Sequence, residues 1–192
     1  MRKIRLLLLA LSLLPGTAFA GWYAGVGVGQ SKADVDCDLD ITCSADDTGS
    51  AFKFYVGNQF TQTLGAEFGF VDLGRVKASG TDSVFGTVDS SFKAEGFFAA
   101  ITGSMPLGEV SLFGKVGLLR WDLDADVSSS VFGSGSVSES GTDPLVGVGA
   151  QMIVGQATAL RVEWERFMDI GDEDETGQSD VDVISVGVVF KF

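Results

Sequence analysis

Close pairs of carboxylates are the side chains of this sequence best spaced for acid–base chemistry. Glu163 and Glu165 lie two residues apart, and so do Asp172 and Asp174. The chain contains no His, which removes Ser–His and other His-based mechanisms. A general acid or base also needs positioned partners, and the first pair is better explained as counter-ions for cations such as Arg161. The sequence therefore predicts no enzyme activity, no catalytic residue and no cofactor.

Two acidic clusters offer oxygen ligands for a hard cation such as Ca²⁺ or Mg²⁺. The second cluster covers residues 169–175, and its spacing, like that of the first, does not match the Ca²⁺-loop pattern. A solvated acidic surface is the simpler interpretation, so no metal site is predicted. The first cluster consists of Asp34, Asp36, Asp38 and Asp40.

The N-terminus has the three regions of a secretory signal peptide. A basic start is followed by an apolar run over 6–14 and by a small-x-small site at Ala18-Phe19-Ala20. The run is too short for a spanning helix, which needs about 20 apolar residues. We predict that residues 1–20 are removed and that residues 21–192 form one domain.

Export changes the interpretation of the charges and of the cysteines. Loss of three leader cations shifts the net charge from −13 to −16, which argues against nucleic-acid binding. Cys37 and Cys43 lie six positions apart in an acidic segment, and such a pair in an exported protein is expected to form a local disulfide. Zinc is disfavoured because no His completes a ligand set.

The elements that must position these side chains are β-strands. No long apolar run follows the leader, which excludes a helical membrane protein and leaves a closed barrel as the structure able to span lipid. Period-2 alternation instead predicts an all-β, eight-stranded antiparallel up-and-down barrel. Its connections alternate between short and long, as expected when one rim has tight turns and the other has long acidic loops. The predicted strands cover residues 22–31, 51–60, 64–73, 91–102, 110–122, 144–154, 159–169 and 181–192.

Alternation separates an apolar face from a polar face on each strand. The charges of the polar face nearly cancel, which favours a narrow interior where ion pairs must form. We predict a network in the lumen that consists of Lys53, Glu67, Lys93, Glu95, Lys115, Arg161, Glu163 and Glu165.

Alternation alone does not decide which face is inside. A secreted lipocalin-like carrier would place the apolar face inward. Charge balance on the polar face, long loops on one rim and the terminal aromatic Phe192 favour the membrane orientation. Aromatic residues near the strand ends fit two interfacial girdles, with Trp22, Phe60, Phe190 and Phe192 at the short-turn rim and Trp121 and Phe167 at the other.

Several stretches resemble the OmpA-like eight-stranded outer-membrane barrels. They are Trp22-Tyr23-Ala24-Gly25, the segment over 64–73, Leu160-Arg161-Val162-Glu163-Trp164, and the segment over 186–192. The resemblance implies the same fold, and it implies that Phe190 and Phe192 form the C-terminal signal read by the barrel assembly machinery. No segment follows the last strand, so the peptidoglycan-binding domain of many members is expected to be absent.

We therefore expect a monomeric barrel in the outer membrane of a Gram-negative cell. Its expected role is structural and interfacial: the ion pairs plug the lumen and the acidic loops are displayed outside. The expected partners are outer-membrane lipid, lipopolysaccharide and, during biogenesis, the barrel assembly machinery. The alternatives are a surface adhesin or receptor, a narrow porin, and the secreted carrier.

Overall fold

The described part of the chain folds into antiparallel strands. The computed structural model describes residues 21–33, 43–46, 48–82, 86–129, 133–171 and 178–192. Within these ranges there is no helix long and apolar enough to cross a membrane. The strands are β1 (Gly21–Ala33), β2 (Cys43–Asp46), β3 (Thr48–Gln59), β4 (Leu64–Asp82), β5 (Gly86–Leu107), β6 (Val110–Ser129), β7 (Gly133–Ile153), β8 (Thr158–Ile170) and β9 (Ser179–Lys191).

Eight of these strands close a barrel. Each pairs with its neighbours in the chain, and β1 completes the circle by pairing with β9 from Tyr23–Lys191 to Ala33–Val181. The four-residue β2 lies outside this circuit and pairs only with the upper part of β4. The predicted fold, an eight-stranded antiparallel up-and-down barrel, is confirmed.

The three short connections are tight turns at one end of the barrel. Phe60 and Thr61 donate backbone hydrogen bonds to the carbonyl of Leu64, and Val154 donates to that of Thr158. Between β5 and β6 the turn has only two residues outside the pairing, and the first of them, Gly108, has φ of 72°. Glycine suits this position because two-residue hairpin turns need a positive φ there.

The strands differ in length, and the sequence prediction was wrong in this respect for four of them. Strands β4 to β7 contain 19 to 22 residues, whereas β1, β3, β8 and β9 contain 12 or 13. Much of 74–90 and 123–143, expected as loops, is paired strand. On β6 the alternation continues over 121–126 but its phase reverses, because apolar residues such as Leu123 are buried inside and the aspartates between them are exposed outside. This reversal is why the predicted strand ended at residue 122.

The apolar side chains of the barrel point outward. Phe54 is 47% exposed and Val186 is 56% exposed, whereas Lys53 and Arg161 are each 4% exposed. A carrier of apolar ligands needs the opposite orientation, so the lipocalin-like alternative is excluded. The exposed apolar residues form a belt around the barrel, as expected for strands in contact with hydrocarbon.

Several sequence predictions fall on residues that the structure does not describe. They are the leader over 1–20, the acidic clusters over 34–40 and 172–175, and Cys37; for Cys43 only the backbone is described. The signal peptide, the disulfide and the acidity of the loops therefore stay predictions.

Candidate functional site

Six ionisable side chains meet inside the barrel and form what we call the lumen network. None of them is more than 5% exposed, and three cations balance three carboxylates. Because a buried charge without a partner costs several kcal/mol, this balance is what lets the strands bury them together. The six residues are Lys53 on β3, Glu67 on β4, Lys115 on β6, and Arg161, Glu163 and Glu165 on β8.

Arg161 is the most extensively bonded cation of the lumen network. Its Nη1 lies 2.6 Å from Oε1 of Glu67, and its Nη2 lies 3.3 Å from Oε2 of the same carboxylate. Nη2 also lies 3.2 Å from Oε1 of Glu163, and Nη1 donates to the hydroxyl of Tyr55 at 3.1 Å. A guanidinium that grips one carboxylate with two nitrogens fixes the direction of both side chains.

The two lysines link the carboxylates of β8 to the opposite wall. Lys115 Nζ lies 2.8 Å from Oε1 of Glu163 and 3.8 Å from Oε2 of Glu67, and it also contacts Glu165. Lys53 contacts both Glu163 and Glu165. Every carboxylate of the network therefore touches at least two cations, and Glu163 touches all three.

Aromatic rings complete the environment of the lumen network. Tyr23 donates its hydroxyl hydrogen to Glu67 at 3.0 Å. The guanidinium carbon of Arg161 lies 3.9 Å from the ring centre of Phe113, and Lys115 Nζ lies 5.0 Å from that of Phe98. Such contacts stabilise a cation that has lost its water. The sequence prediction missed these rings, although alternation places Tyr23 and Phe113 at polar-face positions.

Glycines make room for the two tyrosines that reach into the lumen. A Cβ on Gly25 would overlap the ring of Tyr55, and a Cβ on Gly57 would overlap the ring of Tyr23. The rings themselves meet edge to face with centres 6.4 Å apart. Any larger residue at either glycine would displace a ring that contacts the network.

On the loop side of the network the lumen is filled by hydrocarbon. These inward residues are at most 1% exposed, and we call them the apolar layer. The charged side chains thus lie between this layer and the short-turn end. The layer consists of Val71, Leu119, Leu145, Phe167 and Val183.

Two aromatic residues predicted for the outer girdle are inside the barrel. Phe167 is fully buried in the apolar layer, and Trp121 is 3% exposed with its indole N–H donating to Asp143 at 2.6 Å. Both residues occupy inward-facing positions of the alternation on their strands. This position decides where the side chain points, at the rim as well as in the middle of the barrel. At the short-turn rim, Trp22 and Phe192 do point outward, as the girdle prediction requires.

Lys93 and Glu95 were predicted for the lumen network, and this prediction was wrong. On β5 they lie on the same face as Phe97, which is 54% exposed on the belt, so they point outward. The neighbouring Phe98 lies on the other face and is buried. The adjacent aromatics at 97 and 98 made the two faces of β5 indistinguishable in the sequence. Lys93 instead pairs on the outside with Glu95 at 2.5 Å and with Asp72 at 3.7 Å.

Lys93 and Glu95 belong to a polar band directly above the belt. On each strand of the barrel the first outward position beyond the exposed apolar residues is polar, and we call these eight residues the outer polar ring. Its position between the belt and the loop-side strand extensions is that of a membrane–water interface. The ring consists of Gln30, Ser50, Asp72, Glu95, Arg120, Thr142, Arg166 and Asp182.

Ion pairs join members of the outer polar ring to one another and to Lys93. Arg166 binds Asp182 with two nitrogens, at 2.8 and 2.6 Å, and lies 3.7 Å from Asp180. The hydrogen bond from Arg166 lowers the pKa of Asp182, and the hydrogen bond to Glu95 raises the pKa of Lys93. A β-bulge shifts the register of β4 directly after Asp72. The backbone N–H of Gly74 donates a hydrogen bond to the carboxylate of Asp72 there. The φ of 81° at Gly74 requires glycine at this position.

At the short-turn end a polar cavity of about 60 Å³ leads down to the network. Gln59, Gln151 and Lys191 lie around it, and Glu67 and Arg161 form its floor. Its volume suits water or a small ion, and the apolar layer separates it from the opposite end. Among the described residues no group of three or more His, Cys, Asp or Glu could hold a metal ion.

Comparison with known proteins agrees with this architecture. A family model described as "OmpA-like transmembrane domain" matches residues 17–192. Outer membrane protein A of Yersinia pseudotuberculosis is 30% identical over 89% of this chain and 48% of its own length. That of Serratia marcescens is 28% identical over 72% of this chain and 38% of its own. The chain thus spans about half the length, or less, of these curated relatives.

Two solved structures support the fold. The attachment invasion locus protein Ail of Yersinia pestis superposes with a TM-score of 0.59 at 21% identity, covering 90% of this chain and 99% of Ail. Neisserial surface protein A gives a TM-score of 0.60 at 16% identity, with coverage of 90% and 99%.

Proposed function

The chain belongs to the OmpA-like transmembrane domain family, and from that premise we propose that it acts as a sealed structural barrel. As a member of that family it is a β-barrel of the Gram-negative outer membrane. Its proposed role is to occupy and stabilise that membrane and to present its loop-side strands to the exterior. The filling of the lumen by two different layers is the observation that carries this proposal.

Each layer opposes the passage of ions for its own reason. In the lumen network an ion would have to compete for carboxylates that already touch two or three cations. In the apolar layer it would have to leave its water among side chains such as Leu119 and Leu145, which offer no hydrogen bonds. An eight-stranded barrel is only wide enough for its own side chains, so both layers can span it.

Planar-bilayer recording tests the sealed lumen. We expect no sustained conductance in the nanosiemens range from the wild-type barrel, and none from Glu163→Gln, because the apolar layer stays in place. The triple variant Leu119→Gly, Leu145→Gly and Glu163→Gln, which opens both layers, should leak, provided that heat-modifiable migration on gels shows that it folds. Sustained nanosiemens conductance of the wild type would overturn the proposal in favour of the narrow porin.

A surface adhesin or receptor is the second candidate, and the long strands favour it. Strands β4 to β7 have up to nine residues more than their counterparts β1 and β9. At about 3.3 Å per residue this adds roughly 30 Å of strand beyond the ring. A scaffold that only filled the membrane would not need this projection.

Shortening one projecting hairpin separates the two candidates. Residues 127–135 can be replaced by Asn-Gly, which joins Asp126 to its partner Ser136 without changing the register below. An adhesin should lose attachment of whole cells to host-cell or abiotic surfaces, while a scaffold should keep normal envelope resistance to detergent. Unchanged attachment together with normal detergent resistance would exclude the adhesin role for this hairpin.

The remaining partners are proposals of the same kind. Phe190 and Phe192 are outward-facing and exposed at the short-turn end, where a C-terminal assembly signal would be accessible. Phe192→Ala should therefore slow insertion by the barrel assembly machinery without changing the stability of the folded barrel. We also propose a monomer in contact with outer-membrane lipid and lipopolysaccharide.

A further inference from the structure

Four of the five charged side chains of the outer polar ring have an oppositely charged partner within 4 Å. Asp72 and Glu95 share Lys93, and Asp182 is bonded by Arg166. The fifth charge, Arg120, has no carboxylate within 4 Å among the described residues. It therefore lacks an internal counter-ion at the height where the others have one.

Arg120 lies at the upper edge of the belt. On β6 it follows the outward-facing Leu118, which is 54% exposed, and it lies opposite the belt residue Phe97 on β5. Among the described residues its Nη1 and Nη2 reach only the hydroxyl oxygens of Thr142 and Ser140, at 3.5 and 3.4 Å. A guanidinium stays charged at any physiological pH, so this position calls for an external anion.

We propose that Arg120, Ser140 and Thr142 bind a phosphate group carried by an outer-leaflet lipid. The guanidinium fork matches two phosphate oxygens, and each hydroxyl that accepts from Arg120 keeps its own O–H to donate to a third. The partner is a lipid because the bilayer holds its phosphates at this height, next to the exposed belt residues Leu118 and Phe97 that flank Arg120. The inference rests on the membrane orientation of the barrel and not on the sealed lumen.

Binding of phosphorylated lipid A by the purified barrel tests the site. The folded protein is placed in phosphate-free maltoside micelles and titrated with bisphosphorylated lipid A, with the same lipid after dephosphorylation, and with inorganic phosphate. Native mass spectrometry then measures the bound fraction. Because charge-assisted hydrogen bonds are made only with the phosphate, we expect the phosphorylated lipid to bind at least about tenfold more tightly.

Three variants locate the preference. Arg120→Gln should lose the roughly tenfold preference for phosphorylated lipid, and Arg120→Lys should keep part of it because the charge remains but the fork is lost. Arg166→Gln is the matched control: it removes the other arginine of the ring, and we expect the preference to stay because Arg166 is engaged by Asp182. Heat-modifiable migration on gels checks the fold of each variant.

Three results would overturn the inference. The preference could survive in Arg120→Gln, or fall equally in Arg166→Gln, in which case the ring would act only through its total charge. Millimolar inorganic phosphate could displace the lipid, in which case the site would take free phosphate. None of these readouts depends on whether the barrel conducts ions. A failure of the sealed-lumen proposal can therefore be distinguished from a failure of this one.

Discussion

The lumen network and the outer polar ring contain the same kinds of ion pair in opposite surroundings. The side chains of the network are at most 5% exposed. In the ring and its partner Lys93, paired side chains such as those of Glu95 and Arg166 are about a third or more exposed. Yet the distances overlap, because Arg161–Glu67 and Arg166–Asp182 both come to 2.6 Å. The difference between the two sets is therefore solvent and not geometry.

Solvent changes what the loss of one partner costs. In the lumen the side chains are at most 5% exposed, so solvent replaces a lost partner poorly and the remaining charge keeps most of the penalty of its burial. At the ring, water and salt replace a lost partner at once, and exposed pairs contribute about 0–1 kcal/mol. Contact distance alone would rank the two sets as equals.

The largest expected effect is on the free energy of unfolding, when a glutamate is replaced by glutamine inside the lumen and, for comparison, on the outer face of the barrel. Glu163→Gln leaves three buried cations against two carboxylates, and it should lower the free energy of unfolding by about 3–5 kcal/mol. Glu95→Gln, the matched control on the outside, should lower it by at most about 1 kcal/mol. Equilibrium unfolding in urea, followed by Trp fluorescence of the barrel in lipid vesicles, measures both. Equal losses for the two variants would break the comparison.

A double variant tests whether charge balance is what stabilises the network. Lys115→Met and Glu165→Gln each leave the lumen with one unmatched charge. Together they leave Lys53 and Arg161 facing Glu67 and Glu163, which is balanced again. The double variant should therefore cost less than the sum of the single variants, by about 1–3 kcal/mol. The same unfolding experiment gives the four free energies, and strict additivity would show that the pairs act independently.

The sequence allowed much of this to be predicted because the barrel wall has two chemically different faces. Alternation assigned to one face of the sheet Lys53, Glu67, Lys115 and the glutamates of β8. Their charge balance indicated that this face points inward. The prediction failed at 97–98, where two aromatics in a row hid the phase of β5 and sent Lys93 and Glu95 to the wrong face.

Other features left no pattern to read. The apolar layer consists of inward residues such as Leu119 and Phe167, which have the chemistry of the belt but the parity of the lumen. In the extension of β6 the apolar side chains Trp121, Leu123 and Ala125 face inward, opposite to those of the belt below, so the alternation changes phase and did not reveal the rest of the strand. The partners of Arg161 depend on which strands meet across the lumen, and this follows from the closed barrel and not from local sequence.

Salt provides a smaller effect that should separate the two faces. In 1 M NaCl the screening length falls to about 3 Å, so the destabilisation caused by Glu95→Gln, about 1 kcal/mol at most, should shrink towards zero. The destabilisation caused by Glu163→Gln should not change, because Glu163 is 2% exposed and does not line the short-turn cavity, so salt screens its pairs little. Repeating the urea experiment at 0.05 and 1 M NaCl measures this. A salt-dependent loss for Glu163→Gln would mean that the network is open to solvent.

The smallest expected effect is the pH dependence of the pair between Arg166 and Asp182. The hydrogen bond from Arg166 holds the pKa of Asp182 below its ordinary value of 3.8, so folding favours the ionised carboxylate. The stabilisation is therefore complete above about pH 4 and is lost as the pH falls through the lowered pKa. Because both side chains are about a third exposed, solvent screening limits it to roughly 0.5 kcal/mol. We expect Asp182→Asn to be less stable than the wild type by that amount at pH 7 and equally stable near pH 2, since comparing the two proteins at each pH cancels every other titrating group. A difference that persisted at pH 2 would show that Asp182 stabilises the barrel through packing and not through its charge, and the ring would then differ from the lumen in more than solvent.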